Sequence, residues 1–239
     1  MSELITLYTA KICPWAHRVE LALKESGLEY QRFEVDLQNK PEWYAPQVNP
    51  ASKVPAIAYG GPPTSPSSPS PLSTKLAESY VLLEFIADIS KSVALLPPTP
   101  VARAQARFFI ETFTSKFAAP WYASLHRGED PAAAVLPAID ALQTLLPPEG
   151  GFAAGAQYTI ADAAVTPFLA RASVALKHDL GAYPAGEGKA VWETLQNDDK
   201  YKRFRQYYAD VSSRENFKQT FDEDYILEVF TKLFAESRK

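Results

Sequence analysis

The spacing of apolar and polar positions changes character along the chain, and the changes mark the elements. Leu4–Thr9 is a short apolar run that predicts a buried strand. Pro14–Ser26 follows, with Val19, Leu21, Ala22 and Leu23 forming an apolar side, and predicts a helix. Proline is tolerated in its first turn because the missing N–H would have no partner there, and Gly27 closes it. Tyr30–Asp36 alternates apolar and polar residues, as a strand with one solvated face does. A strand, a helix and a strand at this short spacing imply a parallel pair joined by a right-handed crossover. Lys40–Gln47 predicts a short irregular helix, Asn49–Lys53 a turn, and Val54–Tyr59 a third strand.

Gly60–Ser73 breaks the pattern. It is rich in glycine, proline and serine, carries little apolar surface, and predicts a flexible excursion inside the first domain. Lys75-Leu76-Ala77 resumes the hairpin, and Glu78-Ser79 opens a helix to about Ser90 with Val81, Leu82, Phe85 and Ile86 on one side. The order β-α-β-α-β-β-α is that of a thioredoxin-like α/β domain, a mixed sheet with helices on both faces. Three prolines among residues 97–100 hold the chain extended and predict a linker. The domains are then 1–96 and 101–239, joined by 97–100.

Beyond the linker the periodicity is helical throughout. Val101–His126 predicts one long amphipathic helix carrying Phe108, Phe109, Phe113, Phe117 and Trp121, and Pro131–Leu146 predicts a second. A loop spans Pro147–Tyr158. Thr159-Ile160-Ala161-Asp162 has the spacing of a capping box and starts an apolar helix to about Leu176. Two or three more helices follow, the last over Asp222–Ser237.

Composition narrows the function. The 239 residues carry a net charge of −4 and show no basic patch, which argues against a nucleic-acid partner. No apolar run spans a bilayer, and no basic, then apolar leader precedes the first strand. The single cysteine excludes an internal disulfide framework and predicts a reducing, cytoplasmic setting. Three scattered histidines and one cysteine argue against a metal site.

That cysteine, Cys13, falls at or beside the N-cap of the first helix. Helix N–H groups and the positive end of the dipole lower a thiol pKa there, favouring a thiolate nucleophile. Ala16 stands where a dithiol motif would place its second cysteine, so disulfide chemistry at Cys13 requires a thiol from outside. The alternative is a buried, inert thiol. His17, four residues on, suggests a cysteine–histidine pair, but a cap side chain points away from that face, and His17 is read as a packing or surface residue.

Together these residues resemble the cytosolic glutathione transferases, most closely the omega class. The likeness runs over nearly the whole chain. Its marks are Cys13-Pro14-Trp15-Ala16-His17-Arg18; Asn39-Lys40-Pro41-Glu42-Trp43-Tyr44, with Asn49-Pro50 and Lys53-Val54-Pro55 after it; Glu78-Ser79; and Thr159-Ile160-Ala161-Asp162-Ala163. The Gly60–Ser73 excursion is longer and richer in proline than the family's usual hairpin.

The resemblance implies glutathione as co-substrate, Cys13 as the catalytic thiol, and a cis Val54–Pro55 bond that turns the Val54 backbone toward the ligand. Ser79 and Glu78 then take the γ-glutamyl carboxylate and ammonium, and Lys40 and Lys53 the glycyl carboxylate. A simpler role for Ser79 is that of an N-cap. Trp15, Phe117, Trp121 and Tyr122 are candidates for a hydrophobic substrate site, although much of that aromatic stripe must be core. The implied activity is glutathione-dependent thiol transfer through a Cys13–glutathione mixed disulfide, with dehydroascorbate reduction and removal of glutathione from ketone adducts, in a homodimeric detoxification enzyme. The alternative is a carrier of hydrophobic or aromatic small molecules with little turnover.

Overall fold

A computed structural model describes residues 3–237, so the outermost residues of the two expected domains, 1–2 and 238–239, lie outside the described residues. The chain divides into two compact units between Leu95 and Leu96. The first holds β1 (Ile5–Thr9), α1 (Pro14–Ser26), β2 (Gln31–Glu34), α2 (Tyr44–Gln47), β3 (Ala56–Tyr59), β4 (Thr74–Ala77) and α3 (Ser79–Ile89). The sheet order is β2-β1-β3-β4, with β1 parallel to β2 and antiparallel to β3, and β3 antiparallel to β4. This is the mixed sheet of a thioredoxin-like domain.

The register assigns each face its cover. Tyr8 pairs with Phe33 and with Ala56 across the two ladders, so these residues share a face. There Tyr8 meets Phe33, Trp43 and Tyr44 with ring centroids 5.7, 6.2 and 5.8 Å away, which places α2 on that side. Leu7 and Ile57 point the other way and are fully buried under α1 and α3. On that face Tyr59 meets Phe85 of α3, and Arg32 bonds Glu20 of α1 at 2.8 Å. Gly27 ends α1 at φ +69°, a left-handed cap that suits glycine, with its N–H bonded to the Lys24 carbonyl.

Residues 60–73 depart from the expected flexible excursion: they fold back against their own ends. The Tyr8 hydroxyl donates to the Pro66 carbonyl at 2.8 Å. Lys75 Nζ donates to the carbonyls of Ser70 and Ser73 and to the Ser73 hydroxyl, and Pro69, Ser70 and Ser73 are buried. Gly61, at φ +78°, lets the two ends approach; a Cβ there would lie 3.0 Å from the Ser73 nitrogen. Low apolar content does not register these polar contacts. Prolines reduce the entropy lost on ordering, and serine hydroxyls satisfy local backbone groups without a core.

The second unit contains α4 (Pro100–Phe113), a π-helical turn (Thr114–Ala118), α5 (Ala119–Arg127), α6 (Pro131–Gln143), α7 (Ile160–Lys177), α8 (Glu187–Asn197), a 3₁₀ turn (Asp199–Tyr201), α9 (Lys202–Ser212), α10 (Glu215–Thr220) and α11 (Glu223–Phe234). Four α-helices therefore follow α7 among the described residues, more than the two or three expected. The expected long helix is interrupted by the π-turn just before Pro120. That proline lacks an N–H and its ring would strike the carbonyl four residues back, so the ladder widens. The unit's core carries stacked rings at four-residue spacing, Phe113 on Phe117 at 5.1 Å and Phe117 on Trp121 at 6.2 Å.

The predicted capping box forms at the start of α7. Asp162 is fully buried and accepts from Ala153 N, Thr159 N, Thr159 Oγ1 and Tyr207 Oη at 2.8–3.1 Å. Burial pushes its pKa up to about 6, against the pull of those four donors. A folded-state pKa above the unfolded one means stability present below about pH 4 is lost as pH rises toward 6. In urea unfolding, the stability advantage of wild type over Asp162→Asn is expected to shrink by up to about 3 kcal/mol between pH 4 and 7. An advantage that grows with pH would contradict this account.

Candidate active site

Two helix starts and one loop shape a cleft in the first unit. Cys13 is the N-cap of α1, extended at φ −81° and ψ 115°, with its N–H on the Ala10 carbonyl at 2.9 Å and its carbonyl accepting from His17 N at 3.0 Å. Its side chain is half-buried and free of any disulfide. His17 is 2% exposed, a packing residue. Two residues into α1, Trp15 lines a cleft of about 240 Å³ together with Asn49, Lys53, Val54, Pro55, Glu78 and Ser79.

The loop before β3 is held from below. The Val54–Pro55 bond is cis. Tyr44 Oη and Asn49 Nδ2 both donate to the Lys53 carbonyl at 2.8 Å, while Asn49 Oδ1 accepts from Ala51 N at 3.1 Å. Neither the Val54 N–H nor its carbonyl has a partner among the described residues, so both remain available to a ligand chain. Asn49 is 6% exposed; the sequence marks it as a turn residue and, with Pro50, as part of the family pattern, while its hold on this loop rests on tertiary contacts.

At the start of α3 the N-cap is Glu78, not Ser79. Glu78 adopts φ +71°, a left-handed conformation that costs a non-glycine residue about 1–3 kcal/mol, and its side chain caps nothing. Ser79 is the first helical residue, so the simpler reading of it as an N-cap fails. Its hydroxyl instead accepts from Arg18 Nη1 at 3.4 Å, and its N–H has no partner among the described residues. A helix start with a free N–H and a positive dipole end suits a carboxylate. Arg18 is 1% exposed and lies 4.4 Å from the Trp15 ring, joining two residues of the cleft from beneath.

Not every candidate gathers here. Lys53 lines the cleft, whereas Lys40 Nζ donates to the Ser52 carbonyl at 2.8 Å and is not among the lining residues. Phe117 and Trp121 are buried in the core of the second unit. Tyr122 is half-buried there, stacked on His126 at 5.6 Å. Among the described residues no group of three or more His, Cys, Asp or Glu side chains could hold a metal, and no helix is long and apolar enough to cross a membrane.

Residues 12–89 match the family model described as Glutathione S-transferase, N-terminal domain, and residues 131–210 match Glutathione S-transferase, C-terminal domain. Glutathione transferase Omega 1C from Trametes versicolor is 53% identical, with a TM-score of 0.94 over 99% of both chains. The chain belongs to the glutathione transferase family and is similar to its omega class.

Two further relatives show the spread of this glutathione transferase's kin. Omega 2S from the same fungus, solved in complex with 2,4-dihydroxybenzophenone, is 41% identical with a TM-score of 0.89 over 97% of both chains. A probable glutathione S-transferase from Solanum tuberosum is 33% identical over 142 residues, 59% of either chain. The chain thus spans between about half and three fifths of the first curated relatives it matches.

The Ser79 geometry sets an expectation. Ser79→Ala removes a hydroxyl beside the helix start but no cap. Its glutathione affinity, by calorimetric titration, is expected to fall about tenfold, the size of one hydrogen bond to a charged group. The thermal midpoint should move only a few degrees. Unchanged affinity would remove Ser79 from the ligand site.

Proposed function

We propose that this omega-type glutathione transferase is a glutathione-dependent thiol transferase. The observation that carries the reading is that the helix capped by Cys13 also supplies Trp15 to the cleft lined by Val54 and Ser79. In the proposed reaction the Val54 backbone pairs with the cysteinyl unit of glutathione, the start of α3 with Ser79 takes the γ-glutamyl carboxylate, and Glu78 its ammonium. Lys53 takes the glycyl carboxylate, with Lys40 as a more distant contributor.

The Cys13 thiolate attacks the glutathione sulfur of a mixed disulfide. The Cys13–glutathione bond forms, the original S–S bond breaks, and the substrate leaves as a thiolate. A second glutathione thiolate attacks the adduct, giving glutathione disulfide and restoring the Cys13 thiolate. Dehydroascorbate reduction fits the same cycle, two glutathione thiols supplying two electrons as they couple to the disulfide. A cysteine at this position disfavours conjugation, because it pairs with glutathione where a hydroxyl would activate it. Such exchange needs a reducing compartment, in keeping with a cytoplasmic enzyme. Hydrophobic or disulfide small molecules are the proposed substrates, in keeping with the aromatic ketone held by Omega 2S.

Intact-mass measurement tests the mechanism. Glutathione disulfide is expected to add one glutathione to the wild type, at Cys13, and excess reduced glutathione to remove it. With no second cysteine in the chain, the adduct should accumulate. The thiol should titrate below the value of about 8.5 of a free cysteine. Cys13→Ser is expected to abolish thiol transfer while keeping its glutathione affinity. An unmodified wild type, or a mutant with full activity, would remove Cys13 from the reaction and favour the non-catalytic carrier.

A second copy of the chain is the proposed protein partner. Each unit presents large apolar side chains to solvent: Leu72 and Val81 in the first, at 78% and 53% exposure, and Val101 and Phe108 in the second, at 69% and 59%. Light scattering at micromolar concentration is expected to give the mass of two chains, and the mass of one chain would overturn the dimer.

A further inference from the structure

The second unit contains a cavity that the proposed reaction does not use. It measures about 270 Å³ and opens between α6, α7, α8 and α9. Ile139, Leu169 and Leu195 form an aliphatic wall, and Trp192, Phe204 and Tyr208 an aromatic one. Phe117, a candidate for the hydrophobic substrate site, lines it too. None of the residues lining the cleft of Trp15, Lys53 and Ser79 does.

Size and lining point to a ligand rather than a packing fault. An apolar cavity of roughly 150 Å³ already admits benzene. A cavity of about 270 Å³ with four aromatic side chains in its wall accommodates a planar compound of one or two fused rings.

One polar group narrows the chemistry. Arg205 lines the cavity and is half-buried. Its Nη1 is pinned by the carbonyls of Leu195 at 2.8 Å and Asp198 at 2.7 Å. The other guanidinium N–H groups have no partner among the described residues, and no carboxylate pairs with this charge. A guanidinium oriented by two carbonyls, partly withdrawn from water and without a counter-ion, matches a carboxylate in geometry and sign. The Trp192 indole N–H, also without a partner among the described residues, offers a further donor. Burial pushes the Tyr208 phenol, hydrogen-bonded to Ser173, up to about 12, so it stays neutral and does not compete for Arg205.

We propose that the helical unit carries a second binding site, for a small planar aromatic carboxylate, with the ring between Trp192, Phe204 and Tyr208 and the acid group on Arg205.

The probes are 2-naphthoate and its neutral counterpart 2-naphthamide, titrated into the ¹⁵N-labelled full chain. The chain has four tryptophans, and Trp192→Phe assigns the indole signal of interest. Naphthoate is expected to shift the Trp192 signal and leave that of Trp15, in the other cleft, in place. The amide should bind at least about tenfold more weakly, the margin expected of a charge-assisted pair. Saturating glutathione should leave naphthoate affinity unchanged. Arg205→Met should erase the preference for acid over amide. The wild-type comparison of the two probes stands even if that variant fails to fold. A Trp192 signal unmoved at millimolar naphthoate, displacement by glutathione, or equal affinity for acid and amide would each overturn the proposal.

Discussion

A buried guanidinium is the constraint on which the N-terminal unit depends. Arg18 is the largest fully buried side chain among the described residues. Withdrawing such a charge from water costs several kcal/mol unless it is met by acceptors and a polarisable face. Ser79 supplies an acceptor from α3 and Trp15, on the same helix as Arg18, a ring, so one contact of this charge ties α1 to α3. Cys13 and Ser79 are 66 residues apart in sequence, yet each begins a helix on the same face of the sheet.

The loop that closes the cleft follows the same logic on the opposite face of the sheet. The Lys53 carbonyl receives two donors, one from α2 and one from Asn49. Tyr44 itself is locked in the cluster around Tyr8. With its own carbonyl saturated, Lys53 leaves the neighbouring Val54 to present unpaired backbone groups. A backbone N–H and C=O kept unpaired in a half-buried loop cost free energy until a ligand meets them. Glu78 adds strain of the same kind, a left-handed residue at the helix start next to Ser79. In both places the rigid part of the fold stabilises a local arrangement that would not persist alone.

The helical unit rests on a different buried charge. Asp162 gathers donors from the loop before α7, from its own cap residue and from Tyr207 of α9, and so joins its local capping box to a loop and to a helix 45 residues on. Around it the unit packs through aromatic rings at four-residue spacing. The space left between α6 and α9 is not filled by any of these rings.

The elements themselves were legible in the sequence because their causes are local. Apolar periodicity, Pro14 at a helix start, Gly27 at its end and the Thr159–Asp162 spacing act within a few residues, and the structure places each where that chemistry predicts. The fold class and the family followed from motifs of the same short range. What the sequence by itself left open depends on partners distant in the chain. The order of residues 60–73 hangs on Tyr8 and Lys75, Ser79 gave up the cap to Glu78 and took Arg18 as partner, and Asn49 became a support of the Lys53 loop. The aromatic stripe of α4 and α5 looked alike throughout, and only packing separated the buried Trp121 from the half-buried Tyr122. The split has one physical reason. Backbone capping and helical spacing are decided by neighbours along the chain, whereas burial and long-range hydrogen bonding are decided by what the folded chain brings alongside.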